Sequence, residues 1–134
     1  MSNESVLVVD DEESIREIFA EFLQIVGFSD IVTVASGVEA LETLETRPFD
    51  IVFSDINMPE MKADVLVDRI IEKYDEKRPL IILLTGDTNT KVLTDHQGLN
   101  EKVDGILGKP FDEDTIAGAL EDAKTSYQQK TLPA

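Results

Sequence analysis

Five polar side chains stand close behind short apolar runs: Asp10 and Asp11 after Val6–Val9, Asp55 after Ile51–Phe53, Thr85 after Leu80–Leu84, and Lys109 after Gly105–Leu107. Three carboxylates brought close together repel one another, and that repulsion either raises a pKa or recruits a cation. The donors are oxygens, with no cysteine in the chain and a single histidine, His96, remote from them in sequence. Such a set suits a hard dication, magnesium with manganese as the alternative, and not zinc. Magnesium keeps several waters and commonly binds phosphate, so a phosphoryl group is the natural guest. Lys109 would offer a compact charge to one phosphoryl oxygen and Thr85 a hydroxyl to another. A carboxylate with an ordinary pKa of about 4 is ionised at neutral pH, so Asp55 could attack phosphorus without a general base and become an aspartyl phosphate. Taken singly, each residue has a plainer use, because aspartate after a strand is a frequent turn or cap residue. The combination carries the signal.

The runs that precede these residues read as strands. Val6–Val9, Ile51–Phe53 and Leu80–Leu84 are wholly apolar and rich in β-branched residues, as strands buried on both faces of a parallel sheet are; Gly105–Leu107 is weaker, and Ile31–Val34 alternates like an edge strand. Between them lie stretches of helical period. Ile15, Ile18, Phe19, Phe22, Leu23 and Val26 form one stripe, capped from within Asp11–Ser14; Val38, Leu41 and Leu44 follow Ser36-Gly37; Leu66, Val67, Ile70, Ile71 and Tyr74 begin near Asp64; Ile116, Ala119, Leu120 and Ala123 follow a cap at Asp112. Residues 88–98, anchored by Val92 and Leu99, make the poorest of five helices. Alternation of strand and helix predicts an α/β, doubly wound parallel sheet with helices on both faces, and in such sheets the ligand site lies beyond the carboxyl ends of the strands. All five polar residues would meet at that edge. Periodicity fades after Ser126, so residues 1–126 are expected to be the domain and 127–134 a disordered tail or linker stub.

The 134 residues, 42% of them hydrophobic, suffice for one domain with a core that needs no disulfide or metal staple. Acidic residues outnumber basic ones 28 to 12, and a net charge of -16 repels nucleic-acid backbones, which excludes this domain as a nucleic-acid binder. No signal peptide opens the chain, and no apolar run approaches the roughly 18 residues of a membrane span; a cytoplasmic protein without membrane attachment is expected.

From Val6 to Ala123 the chain resembles the receiver domain of two-component response regulators. The resemblance rests on Val6-Leu-Val-Val-Asp-Asp-Glu12, Asp55-Ile-Asn-Met-Pro59, Leu84-Thr85-Gly86 and Lys109-Pro110-Phe111. It implies a flavodoxin-like sheet of order 2-1-3-4-5 and Asp55 as phosphoacceptor. It implies magnesium held by Asp11, Asp55, the main-chain carbonyl of Asn57 and, through water, Asp10. Thr85 would be the switch hydroxyl, and the Lys109–Pro110 bond would be cis. The phosphodonor would be a histidine of a partner sensor kinase or phosphotransfer protein, a downstream effector would read the result, and the domain would be a monomer or weak dimer. Such a chain is not an enzyme in the ordinary sense, since it catalyses only its own phosphorylation and dephosphorylation.

Three residues depart from the family pattern. Ile106 stands where most receivers carry an aromatic ring, Gly86 replaces the usual alanine after the threonine, and Ala63 stands where a glycine is usual, so that turn is expected to differ. Asn57 and Asp87, each two residues beyond a site residue, occupy places that tune phosphoryl lifetime in the family. Three other readings compete. A haloacid-dehalogenase-type phosphohydrolase also resembles the order aspartate, threonine, lysine, but it usually has a second aspartate where this chain has Asn57, and Asp112 and Asp114 are accounted for as caps. A flavodoxin-like flavin binder would need its phosphate loop after the first strand, where Asp10-Asp11-Glu12-Glu13 would repel it. A receiver fold serving only as a phosphorylation-independent binding module is the third alternative.

Overall fold

The protein is described from a computed structural model that covers residues 2–56, 58, 61–86 and 102–131. The chain runs β1 (Ser2–Val9), α1 (Glu13–Val26), β2 (Phe28–Val34), α2 (Gly37–Thr46), β3 (Ile51–Asp55), α3 (Ala63–Tyr74), a 3-10 turn (Asp75–Lys77), β4 (Leu80–Thr85), β5 (Gly105–Gly108) and α4 (Glu113–Thr131). The five strands form one sheet in the order β2-β1-β3-β4-β5, and all four pairings are parallel. This is the flavodoxin-like order expected from the sequence, with β2 at an edge. Residues 88–98, the expected fourth of five helices, lie outside the described residues.

Alternation along the strands divides the core in two. Leu7, Val9, Val52, Ile81 and Leu83 pack with Ala40 and Leu44 of α2 and Leu66, Val67 and Ile70 of α3. Val6, Val8, Ile51, Phe53, Ile82 and Leu84 pack on the other face with Phe19 and Leu23 of α1 and Ile116, Leu120 and Ala123 of α4. Successive strand side chains point to opposite faces, so a strand apolar at every position requires helices on both sides. Each fully buried Leu, Ile or Phe stabilises the fold by about 1.5–3 kcal/mol relative to exposure. Phe19 meets Phe53 edge to face with ring centres 4.8 Å apart.

Local expectations differ from the structure in several places. Ile18 and Val38, counted in the apolar stripes, are 47% and 45% exposed; the buried lines run through Phe19 and Leu23 in α1, and through Ala40 and Leu44 in α2. No residue from Asp11 to Ser14 caps α1 with its side chain: Glu12 is the N-cap and makes no such bond, while its own amide donates to Asp10 Oδ1 at 3.0 Å. Ser36 does cap α2, accepting from the Glu39 amide at 3.1 Å while Glu39 Oε2 accepts from the Ala35 amide at 2.8 Å, a reciprocal pair. Asp112 caps α4, accepting from the Thr115 amide at 2.9 Å. That helix continues through Thr131, past residue 126 where the sequence reading ends the domain. Tyr127 explains the extension: its hydroxyl donates to the Arg78 carbonyl at 2.7 Å and its ring lies 5.1 Å from the Arg78 guanidinium. Ala63, at the site of the missing glycine, is the first residue of α3 and has no positive φ, so the turn needs no left-handed residue there. Among the described residues no helix is long and apolar enough to cross a membrane.

Candidate functional site

Register brings the strand ends level. Val9 pairs with Ser54, which sets Asp10 beside Asp55; Asp55 pairs with Leu84, and Thr85 with Gly108, which sets Thr85 and Lys109 at the same edge. Asp10, Asp11 and Asp55 each offer a carboxylate oxygen, and these oxygens lie within 4.8 Å of one another. Asp10 is fully buried, Asp55 is buried and Asp11 is exposed, so the cluster opens toward solvent at one corner. Lys109 Nζ stands between two of the acids, 3.3 Å from Asp10 Oδ2 and 3.6 Å from Asp55 Oδ1. One ammonium among three carboxylates leaves a negative excess in a partly desolvated pocket. A hard dication with room for water at the Asp11 corner fits that donor set.

Each element holds its residue by main-chain bonds. The Asp10 amide donates to Val34 O at 3.2 Å, and the Asp10 carbonyl accepts from Arg16 at 2.7 Å. The Ile56 amide donates to Leu84 O at 3.1 Å, which fixes the exit from β3 directly after Asp55. The Lys109 amide donates to Thr85 O at 2.7 Å, tying those two site residues together, and the Lys109–Pro110 bond that follows is cis. Thus the sequence-predicted Asp10, Asp11, Asp55, Thr85 and Lys109 converge. Asn57, Asp87 and His96 lie outside the described residues.

Arg16 was missed in reading the sequence. It is the one basic residue between Asp11 and Val26, in a helix that also carries Glu13, Glu17 and Glu21, and an isolated cation one turn beyond an acidic pair was the available signal. Ile106, at the departure from the family ring, sits on β5 opposite Leu83 and is 38% exposed. Asp112 and Asp114, the acids a hydrolase would recruit, stand at the start of α4, where Asp112 is engaged by Thr115. A groove of about 410 Å³ lies at the opposite edge of the sheet, lined by Glu4, Asp50, Arg78, Lys124 and Tyr127, and includes none of the five site residues.

The fold and this cluster define a phosphoacceptor module of the kind that receives signals in two-component systems. The family model of the response regulator receiver domain matches residues 6–121, and the chain belongs to that family. A chemotaxis protein CheY homologue of Campylobacter jejuni is 33% identical over 119 residues, covering 87% of this chain and 89% of that protein. The DNA-binding transcriptional regulator NtrC of Escherichia coli is 32% identical over 128 residues, covering 96% of this chain but 26% of NtrC, so the chain spans about a quarter of that relative's length. Among solved structures, the chemotaxis response regulator CheY4 of Vibrio cholerae superposes with a TM-score of 0.79 at 32% identity, covering 91% of this chain and 99% of that one. Receivers are signalling phosphoacceptors that bind magnesium and work with histidine kinases or phosphotransfer proteins and with effectors.

Proposed function

We propose that Asp55 accepts a phosphoryl group from a phosphohistidine of a partner sensor kinase or phosphotransfer protein, and that the modified domain signals to a downstream effector. A carboxylate oxygen of Asp55 attacks phosphorus; the O–P bond forms as the P–N bond to the imidazole breaks, and the departing nitrogen keeps the electron pair. Lys109 and the Thr85 hydroxyl donate to two of the phosphoryl oxygens. Asp11, Asp55, the Asn57 carbonyl and, through water, Asp10 would hold a magnesium ion, which would neutralise the cluster and the phosphoryl charge. Water later cleaves the aspartyl phosphate, so the chain catalyses only its own modification and its reversal. We read residues 1 to 131 as a single receiver unit acting in the cytoplasm.

The observation that supports this most directly is Lys109 Nζ lying 3.3 and 3.6 Å from Asp10 and Asp55 at the edge of the acidic cluster, where an incoming phosphoryl group needs a cation. The test is incubation with magnesium and acetyl phosphate followed by intact mass measurement. One added phosphoryl group is expected, none in Asp55→Asn, and less at limiting magnesium in Asp11→Ala. Modification persisting in Asp55→Asn would falsify the assignment, and rapid turnover of phosphomonoesters would favour the hydrolase.

A further inference from the structure

Gly37 opens α2 and is buried, yet its backbone is not left-handed; among the described glycines only Gly27 has a positive φ. Conformational freedom therefore does not explain a glycine here. Space does. A Cβ built on Gly37 would stand 2.8 Å from Met61 Sδ, 3.0 Å from Met61 Cβ and 3.1 Å from Met61 Cγ. The sulfur can swing aside, being at the end of a flexible side chain. The Cβ is bonded to the Met61 backbone, so relief requires the chain at residue 61, or the start of α2 at residue 37, to give by a few tenths of an ångström. Gly86, Gly108 and Gly118 have nothing within 4 Å of such a Cβ.

Met61 lies in the connection from β3 to α3, the stretch that leaves Asp55. Buried Ile56 and Met58 anchor its first part, and the Ala63 amide closes it by donating to Ile56 O at 3.3 Å. Met61 against Gly37 is a further attachment, from this connection across to α2. We propose that Gly37 is a positioning residue for the site: by omitting a Cβ it seats Met61 against α2, sets the β3–α3 connection relative to Asp55, and thereby sets how tightly the acidic cluster holds a divalent cation. The proposal rests on the reading of that cluster as a magnesium site. A role confined to helix stability predicts a more stable Gly37→Ala chain with unchanged magnesium affinity, since alanine favours a helix over glycine.

The test is magnesium titration, by calorimetry on the whole chain, of wild type, Gly37→Ala, Met61→Ala, the double variant and Gly118→Ala. Gly37→Ala is expected to weaken magnesium binding about tenfold, the low end of what lost outer support costs a metal site. Met61→Ala, which empties the seat instead of crowding it, should weaken binding in the same direction. The double variant, in which the new methyl occupies part of the vacated space, should bind more tightly than either single one, a coupling expected of residues in contact. Gly118→Ala should match wild type. In the metal-free chain the amide resonances of Met58, Met61 and Ala63 should shift in Gly37→Ala. Phosphorylation of that variant by acetyl phosphate should fall at low magnesium and return at saturating magnesium, which a general loss of folding would not allow. Wild-type affinity in Gly37→Ala overturns the proposal, as does a double variant no better than the singles. If Gly37→Ala does not fold, Met61→Ala decides alone, and unchanged affinity there overturns it. A wild-type chain that binds no magnesium overturns the reading of the cluster itself.

Discussion

Every polar group of Asp10 has a protein partner: the amide reaches Val34, the carbonyl Arg16, Oδ1 the Glu12 amide and Oδ2 the Lys109 ammonium. A carboxylate oxygen can accept more than one bond, so Asp10 retains capacity, but its direction is already set. Asp11, exposed at the mouth, is the freer of the pair to turn toward an ion. Asp112 has a comparable local role at α4. The Thr115 amide, helped by the Thr115 hydroxyl and the Asp114 amide, holds the Asp112 carboxyl below its ordinary value of 3.8. A carboxyl lowered in the folded state contributes stability that is complete above its unfolded value and disappears as pH falls through the folded one. Asp112→Ala is therefore expected to destabilise the domain at neutral pH, with the gap to wild type closing as the medium is acidified below 3.8. Urea unfolding of both proteins at about pH 7 and about pH 3 measures this, and a gap of constant size would refute it.

At the level of elements, the strands were legible because four of them are apolar throughout or nearly so, and the helices because their stripes recur at three and four. What was not legible depended on main-chain pairing or on one distant contact. β1 begins at Ser2, in a polar stretch, because the ladder to β2 resumes there after an irregularity between Ser2 and Ser5, and ladder bonds need no apolar side chain. The last turns of α4 are held by Tyr127, which continues the line of Leu120 and Ala123 but sits among Ser126, Gln128 and Gln129, where the period is diluted. Replacing Tyr127 with Phe keeps the ring and removes the bond to Arg78 O, a loss of about 1 kcal/mol in chemical denaturation. An unchanged midpoint would mean that packing alone holds the extension.

Across the whole molecule the two ends of the sheet handle charge differently. At the carboxyl end the acids outnumber their cation. At the amino end Arg78 and Asp104 make a two-pronged pair at 2.8 and 3.0 Å, with side chains 6% and 0% exposed, and Asp104 also accepts from the Ile81 amide at 2.8 Å. Arg78→Ala would leave Asp104 buried and uncompensated, and is expected to cost about 3–5 kcal/mol in equilibrium unfolding, far more than truncating an exposed pair such as Lys73–Glu45. A loss of less than about 1 kcal/mol would show that water reaches the pair. The sequence displays both charges just ahead of their strands, but only the β4–β5 register, Ile82 opposite Gly105, brings them together. The functional end was easier to read, because apolar runs end there in residues with few other uses as a group.

Lys109 and Asp10 are separated by 99 positions along the chain. A ribosome that has finished β4 has made all three carboxylates and not the ammonium that stands among them. The first and third strands carry the acids, and the ammonium 3.3 and 3.6 Å from two of them follows the last strand, so the charge of the cluster is offset only where both ends of the chain share one sheet.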